Sequence, residues 1–361
     1  MELFVGMDVA LEESSICIVD KDGKQVRETK VPTEPEAIRS ALEGFADRLS
    51  RIGVEASSIG MWLYRELHAA GLPVIVVEAR HMHVSLAAMR NKTDRNDARG
   101  IAHMMRLGWY RAVYVKNIET QKLRTLLANR KLLKRKLLDL ENHIRGALRT
   151  YGLLVGQVGR GDFEARVREL IEHGDYIFVT MIETMLEVRR TVFECFNKLH
   201  KILLQVVRHD PLCRRFMTVP GVGPVASLTY KVGVDDPLRF ARSRTVGAHF
   251  GLTPRRHQSG TSIDFEGHIT KQGDFTVREA LCEAAASMLL RAKSWSALRA
   301  WGLKIAKRTS MMCAIVAVAR KLASILHRMW IDGTEFKYGM GAKITPHMKM
   351  TRARLLKPAN A

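Results

Sequence analysis

The chain has 361 residues, with 58 Lys or Arg against 37 Asp or Glu, a formal net charge of +21, and 47% hydrophobic and 26% charged residues. That apolar fraction excludes a disordered chain and supplies two or three cores, while so positive a surface asks for a polyanionic partner, nucleic acid before an anionic membrane. The longest strongly apolar run, Met311 to Ala319, is too short to span a bilayer, Met1-Glu2-Leu3-Phe4 opens with no signal-like segment, and the five scattered cysteines lack a CxxC pair, so a cytoplasmic chain without disulfides or zinc fingers is expected.

Leu3 to Val9 and Ser15 to Asp20 read as strands joined by the polar turn Glu12-Glu13-Ser14, and a turn at Asp20 to Gly23 leads to a third strand near Val26 to Val31. Asp8 stands inside the first apolar strand, where a carboxylate is costly unless it is paired or binds a cation. Glu34 to Leu49 is patterned as an amphipathic helix, Ile52-Gly53-Val54 ends at Glu55, Ser57 and Ser58 cap a helix over Ile59 to Ala70, and Leu72 to Val77 is a buried strand of the parallel type. Thr93 then caps a helix whose apolar residues are Ile101, Met104, Met105 and Leu107. Asp94 and Asp97, at i and i+3, share one face of its first turn, where their repulsion asks for a cation, although acidic residues also favour helix N-termini through the macrodipole alone.

Strand, hairpin, strand, helix, strand, helix is the layout of ribonuclease-H-like nucleases. Acidic residues at the first strand (Asp8), a later strand end (Glu55) and a helix start (Asp94, Asp97) supply only oxygen donors, which suits hard divalent cations. Glu34, Glu36, Glu66 and Glu78 occupy no comparable positions, and His81 and His83 lack neighbours to complete a metal site.

From Ile118 the pattern is long helix. Leu123, Leu126, Leu133, Leu137, Leu140, Ile144 and Ala147 form one seam, with Arg130 at its missing position; after a Gly-rich break (156–161) and a short helix near Asp162 to Glu172, Met181, Met185, Val188, Val192, Cys195, Leu199, Ile202 and Val206 form another. The pair predicts an antiparallel coiled-coil arm with a basic face around Lys131 to Lys136, either solvated or laid on a nucleic-acid backbone. Val219-Pro220-Gly221-Val222-Gly223-Pro224 fits a helix-hairpin-helix turn in which Gly221 and Gly223 bring backbone N–H groups to a DNA phosphate, and fits an ordinary tight turn equally. Ser259 lies in an expected loop among Arg255, Arg256, Lys271 and Arg278, cations that could hold a phosphate under attack by its hydroxyl, although serine before glycine is also a common turn residue. Helices over Thr276 to Lys293 and Ala306 to Trp330 follow, and Lys343 to Ala361, with five basic and no acidic residues, closes a basic tail.

Over nearly its full length the chain resembles IS110-family transposases and the related Piv-type DNA invertases. The matching pieces are Gly6-Met7-Asp8-Val9, Val54-Glu55-Ala56-Ser57, Lys92-Thr93-Asp94-Arg95-Asn96-Asp97-Ala98, Pro220 to Pro224, Gly251 to Gly260 and Ile269 to Gly273. The resemblance implies an α/β plus α architecture: an N-terminal RNase H-like (RuvC-like) domain over 1–115, a coiled-coil connector over 116–210, a mainly helical C-terminal transposase domain over 211–332 and a basic tail over 333–361. It implies a DEDD metal set at Asp8, Glu55, Asp94 and Asp97, two Mg²⁺ ions, and a nucleophile at Ser259. Nucleic-acid contacts fall on Lys92, Arg95, Arg255, Arg256, Lys271, Gly221 and Gly223. Its implied partners are element-end and target DNA, a structured noncoding RNA bridging the two, and further copies of the chain, as dimers assembling into a tetramer. Lys271-Gln272-Gly273 stands where Lys-Arg-Gly is expected, which removes one phosphate contact. The rival readings are a RuvC-like structure-specific endonuclease that uses water as nucleophile, and a non-catalytic nucleic-acid-binding protein.

Overall fold

The structure, a computed structural model, describes residues 2–86, 93–259 and 263–339, of which 257–259 and 263–266 are described by their backbone. The chain divides into two units, Met1–Lys116 and Asn117–Ala361.

In the first unit β1 (Leu3–Val9) pairs antiparallel with β2 (Glu13–Asp20), and β3 (Gln25–Pro32) pairs with the far edge of β2. After α1 (Pro35–Leu42) the chain returns as β4 (Leu49–Glu55), parallel to β1, and α2 (Ser58–Ala69) carries it to β5 (Val74–Val77), parallel to β4. The strand order is therefore β3-β2-β1-β4-β5. Period-two alternation sorts the side chains onto two faces. Leu3, Val5, Met7, Ile52 and Val54 are buried with Ile38 and Leu42 of α1 and Leu63 and Leu67 of α2. Phe4, Cys17, Val19 and Val77 are buried on the opposite face with Met82 of α3 (Ala79–Leu86) and with Ala98, Ile101, Ala102 and Met105 of α4 (Asp94–Leu107). The helix expected over Glu34 to Leu49 stops at Leu42. It tightens into a 3₁₀ turn around Gly44, a poor helix former, and Leu49 already belongs to β4.

In the second unit α5 (Ile118–Arg149) and α7 (Tyr176–His209) lie antiparallel: Arg130 meets His200 near one end and Glu141 meets Arg189 towards the other. Between them α6 (Phe163–Ile171) packs on α7. The seam on α7 is one position away from the expected one. Ile182, Leu186, Arg189, Phe196, Leu203 and Val207 are buried, whereas Met181 is 51% and Val188 46% exposed. Both stripes have heptad spacing, and the one that packs contains a charge. Arg189 is 1% exposed because it donates to Glu141 (2.9 Å), Glu164 (3.1 Å) and the Arg160 carbonyl (2.6 Å), which satisfies a cation that a purely apolar pattern would reject.

The rest of this unit is α8 (Pro211–Phe216), α9 (Pro224–Val234), α10 (Val246–His249), the hairpin β6 (Pro254–Ser259) and β7 (Ile263–Ile269), α11 (Phe275–Leu290), α12 (Ala297–Arg308) and α13 (Met311–Asp332). Their common core holds Phe216, Tyr230, Phe250, Leu281, Met288, Val318 and Leu322. The single helix expected over Ala306 to Trp330 is broken at Thr309. Ser310 caps α13 by accepting from the Cys313 N–H, and α12 lies before the break as a separate helix.

Candidate active site

Two glycines fix where the acidic residues fall. Gly6 and Gly53 are register partners on β1 and β4, and α4 runs across both. A Cβ on Gly6 would lie 2.1 Å from the Ala98 carbonyl oxygen and 2.3 Å from the Ala102 nitrogen, and one on Gly53 would lie 2.7 Å from Ile101 Cγ2. Gly6 meets backbone and takes no side chain while the helix stays in place, whereas at Gly53 the side chains of Ile101 and Met105 would have to shift. The direction of α4 is set at its other end, where Arg51 donates to the Met105 carbonyl and Arg106 to that of Lys21, in the turn beside the start of β1. The helix thus runs antiparallel to β1, and its first turn lies at the strand's C-terminal end.

Asp8 and Glu55 are at that same end. Met7 pairs with Val54, so the next residues of the two parallel strands are Asp8 and Glu55, and alternation from Gly6 and Gly53 turns both towards the α4 face. Asp94 and Asp97 enter from the helix, which Thr93 caps by accepting from the Asn96 N–H. Asp8, Glu55 and Asp97 are half-buried and Asp94 is exposed. Asp8 is therefore at the partly exposed end of its strand and not in its buried middle, which weakens the desolvation argument made from sequence. In cross-strand register Asp8 faces Ser15, and Ser15 faces Lys30. The salt bridge to Glu13 (2.6 Å), and after it the charge of Asp94, hold the Lys30 ammonium above its ordinary range.

The structure brings the four carboxylates to one face and one end of the sheet, and their donor chemistry suits a hard divalent cation. As placed they do not close on an ion: among the described residues no three His, Cys, Asp or Glu form a group able to hold a metal. A fifth carboxylate on this side, Glu28, is taken up by Arg95 (3.2 Å) and Arg99 (3.0 Å), so Arg95, expected as a nucleic-acid contact, is engaged in an ion pair. Lys92 lies outside the described residues, as does the tail from residue 340.

In the second unit Ser259 ends β6, paired with Ile263 at the tip of the hairpin, and so belongs to a strand where a loop was expected. Lys271 and Arg278 belong to the other end, where Pro254 pairs with Ile269. Five residue steps of strand separate Pro254 from Ser259, roughly 17 Å. Arg278 is buried, donating to the carbonyls of Phe250 and Gln272, and so holds the base of the hairpin and is not presented to a phosphate. Gly251 and Gly273 complete that knot: a Cβ on Gly251 would lie 2.4 Å from the Gln272 oxygen, and one on Gly273 2.0 Å from the His249 oxygen, both at positive φ. Arg255, Arg256 and Lys271 are exposed, and Arg255 reaches the Thr270 carbonyl at 3.4 Å.

Gly221 has φ +86° and sits against α11, where a Cβ would lie 2.4 Å from the Ala284 oxygen. Packing alone accounts for that glycine. Gly223, by contrast, is open at the N-cap of α9.

Residues 5–153 match a family model for IS110-type DEDD transposases, described as "Transposase", and residues 213–300 match one described as "Transposase IS116/IS110/IS902 family". The chain belongs to the IS110 family of transposases. It is similar to the transposase for insertion sequence element IS1111A of Coxiella burnetii, 28% identical over 332 residues, 89% of this chain and 88% of the relative. A Pseudomonas aeruginosa chain named "Probable family 20 transposase" is 25% identical over 342 residues, covering 93% of this chain and 98% of its own. Thermus thermophilus RuvC, solved with a Holliday junction substrate, aligns with 31% of this IS110-family chain and 100% of its own at 15% identity and a TM-score of 0.25, too slight a likeness to bear on mechanism. No helix among the described residues is long and apolar enough to cross a membrane.

Proposed function

We propose that this IS110-family chain is the recombinase of an insertion sequence, cutting and rejoining DNA at the element's ends through a serine-linked intermediate. The observation that carries the reading is the placement of Asp8, Glu55, Asp94 and Asp97 at one end of the RNase H-like sheet, in a chain matched by IS110 transposase models over residues 5–153 and 213–300. These carboxylates would hold Mg²⁺, in a pair of sites, and the bound ions would offset charge on the phosphodiester and help deprotonate the attacking hydroxyl. In the first step a bond forms between Ser259 Oγ and phosphorus as the strand's P–O bond breaks; the serine proton passes to solvent, and the leaving oxygen takes up a proton to become a strand hydroxyl. Rejoining reverses the exchange, with a strand hydroxyl displacing Ser259, so bond energy is kept and no external energy source is needed.

Element-end and target DNA are the proposed substrates, and a structured noncoding RNA bridging them is the proposed guide; the net charge of +21 supports polyanionic partners. Self-association through the antiparallel arm is supported by the stripe that α7 does not use within the chain. Met181, Val188, Cys195 and Ile202 are exposed along it. Antiparallel pairing of two copies about Cys195 sets Val188 opposite Ile202 and Val192 opposite Leu199, with Glu187 near Lys201 and Glu194 near Lys198 of opposite copies, whereas parallel pairing would oppose like charges. A dimer of this kind could assemble further into the tetramer.

The separation of Ser259 from Lys271 and Arg278 favours one rival, an endonuclease that uses water and needs no serine. Cutting of labelled element-end DNA by the full chain tests the metal site. Cutting is expected to require a divalent cation, to cease in EDTA and to be lost in Asp8→Asn and Glu55→Gln proteins that still bind the DNA. Cutting that survives both substitutions would refute the site.

A further inference from the structure

From Ala284 to Ile331 the chain has nine Lys or Arg and no Asp or Glu, although the whole chain carries 37 Asp or Glu in 361 residues. Most of this stretch is α12, α13 and the link between α11 and α12. On α12 the inward side is fixed by Gly302, where a Cβ would lie 2.7 Å from both Leu289 Cδ2 and Val318 Cγ2, and by the partly buried Leu298, Ile305 and Ala306. The outward side follows at helical spacing: Trp301, Lys304 and Arg308, with Lys307 beside them, all exposed. Just before the helix Trp295 is 49% exposed, and the Arg299 guanidinium lies 5.6 Å from its ring centre; Trp301 is 42% exposed. Among the described residues Lys304, Lys307 and Arg308 enter no ion pair, and the family model that matches residues 213–300 stops short of all three.

We propose that α12 and the link before it form a binding surface for single-stranded nucleic acid, with Lys304, Lys307 and Arg308 on successive phosphates and Trp295 and Trp301 as platforms for unpaired bases. Large half-exposed indoles among unpaired cations are what a strand with free base faces needs, and a duplex, its bases stacked internally, offers them nothing. An anionic membrane would also take a basic, tryptophan-bearing helix, but only one with a free apolar face, and the apolar face of α12 is packed on α11 and α13. The surface lies apart in sequence from the carboxylates and from Ser259, and binding there needs no strand cutting.

The test is fluorescence anisotropy of the full-length protein in EDTA with a 20-nucleotide single-stranded DNA, the matching RNA and the DNA duplex, and with phosphatidylserine vesicles as a separate arm. Trp301→Ala is expected to weaken single-strand binding at least about fivefold while duplex binding changes less than twofold, and Trp301→Phe to restore most of the loss. Replacing Lys304, Lys307 and Arg308 together with Ala should lower the slope of log affinity against log salt for single strands by about 2. Thermal melts of the triple Ala variant should match wild type, since those cationic side chains are exposed, and so should those of Trp301→Phe, which keeps an aromatic ring. DNA and RNA arms that respond alike assign the surface to strands of either kind, and a response in one alone names that strand. Equal losses for duplex and single strand in Trp301→Ala, or a loss confined to the vesicle arm, would overturn the proposal. Because nothing is cut in this assay, its failure is separate from any failure of the carboxylate site.

Discussion

Gly6 on β1 and Ala98 on α4 are so close that a single methyl group on Gly6 would fall 2.1 Å from the Ala98 carbonyl oxygen. That contact holds the first turn of α4, with Asp94 and Asp97, at the strand end that carries Asp8. Gly6→Ala must push α4 away and should cost about 1–3 kcal/mol or more. Gly44→Ala, where a Cβ meets nothing within 4 Å, should be close to neutral. Urea melts of the two proteins check the difference, and DNA cutting should fail in the first and persist in the second.

The buried cation of the long helices gives a second expectation. Arg189→Met removes the buried partner of Glu141 and Glu164, leaving them only the longer ion pairs with Arg160 (3.6 Å) and Arg168 (3.8 Å), and should cost about 3 kcal/mol. Adding Glu141→Gln and Glu164→Gln should recover a large part of it. A triple variant no more stable than Arg189→Met would show that the loss came from packing and not from the weakened pairing of the carboxylates.

Elements were more legible in the sequence than the surfaces they present. Thr93 with Asp94, Ser57 with the following helix and the strand Leu3–Val9 stand where capping and alternation put them, because these signals are local. The α7 seam was misplaced by one residue because two heptad stripes run side by side and the deciding partners of Arg189 come from α5, α6 and the segment between them, beyond any local pattern. Arg278 reads as a phosphate-binding cation in the sequence because nothing in a linear pattern shows that its fork closes on the Phe250 and Gln272 carbonyls. The acidic positions are singled out in the sequence by their places at strand ends and a helix start. Their shared face follows only from the Gly6–Gly53 register and the course of α4.

Asp274 caps α11 and meets Arg124 at 2.6 Å. Burial alone would raise its carboxyl, but Arg124 and the N–H groups of Val277 and Thr276 hold it below the usual carboxylate range. A depressed folded value means that its contribution is present above the unfolded value of about 3.9 and fades as pH falls through the folded one. Asp274→Asn keeps a capping oxygen and loses the charge pair, so it should cost about 1–2 kcal/mol at pH 7, and the gap from wild type should shrink below pH 4. A gap that stays constant down to pH 2 would contradict the assignment.

Self-association about Cys195 is open to direct chemistry. In a Cys313→Ser background, which removes the other exposed cysteine, mild oxidation should give a disulfide-linked dimer that Cys195→Ser abolishes and Val188→Glu with Ile202→Glu suppresses. A protein that stays monomeric at micromolar concentration and never cross-links would remove the α7 stripe as a contact between copies.

The most direct test of the recombinase reading is trapping of the serine-linked strand. End-labelled element DNA is incubated with Mg²⁺, RNA transcribed from the flanking noncoding DNA and the full-length protein, then run on a denaturing gel beside Ser259→Ala and Asp94→Ala. The expected result is a protein-bound label with wild type that both substitutions abolish. Cut DNA with no bound label, produced equally by Ser259→Ala, would contradict it and leave a water-using nuclease at the carboxylate site.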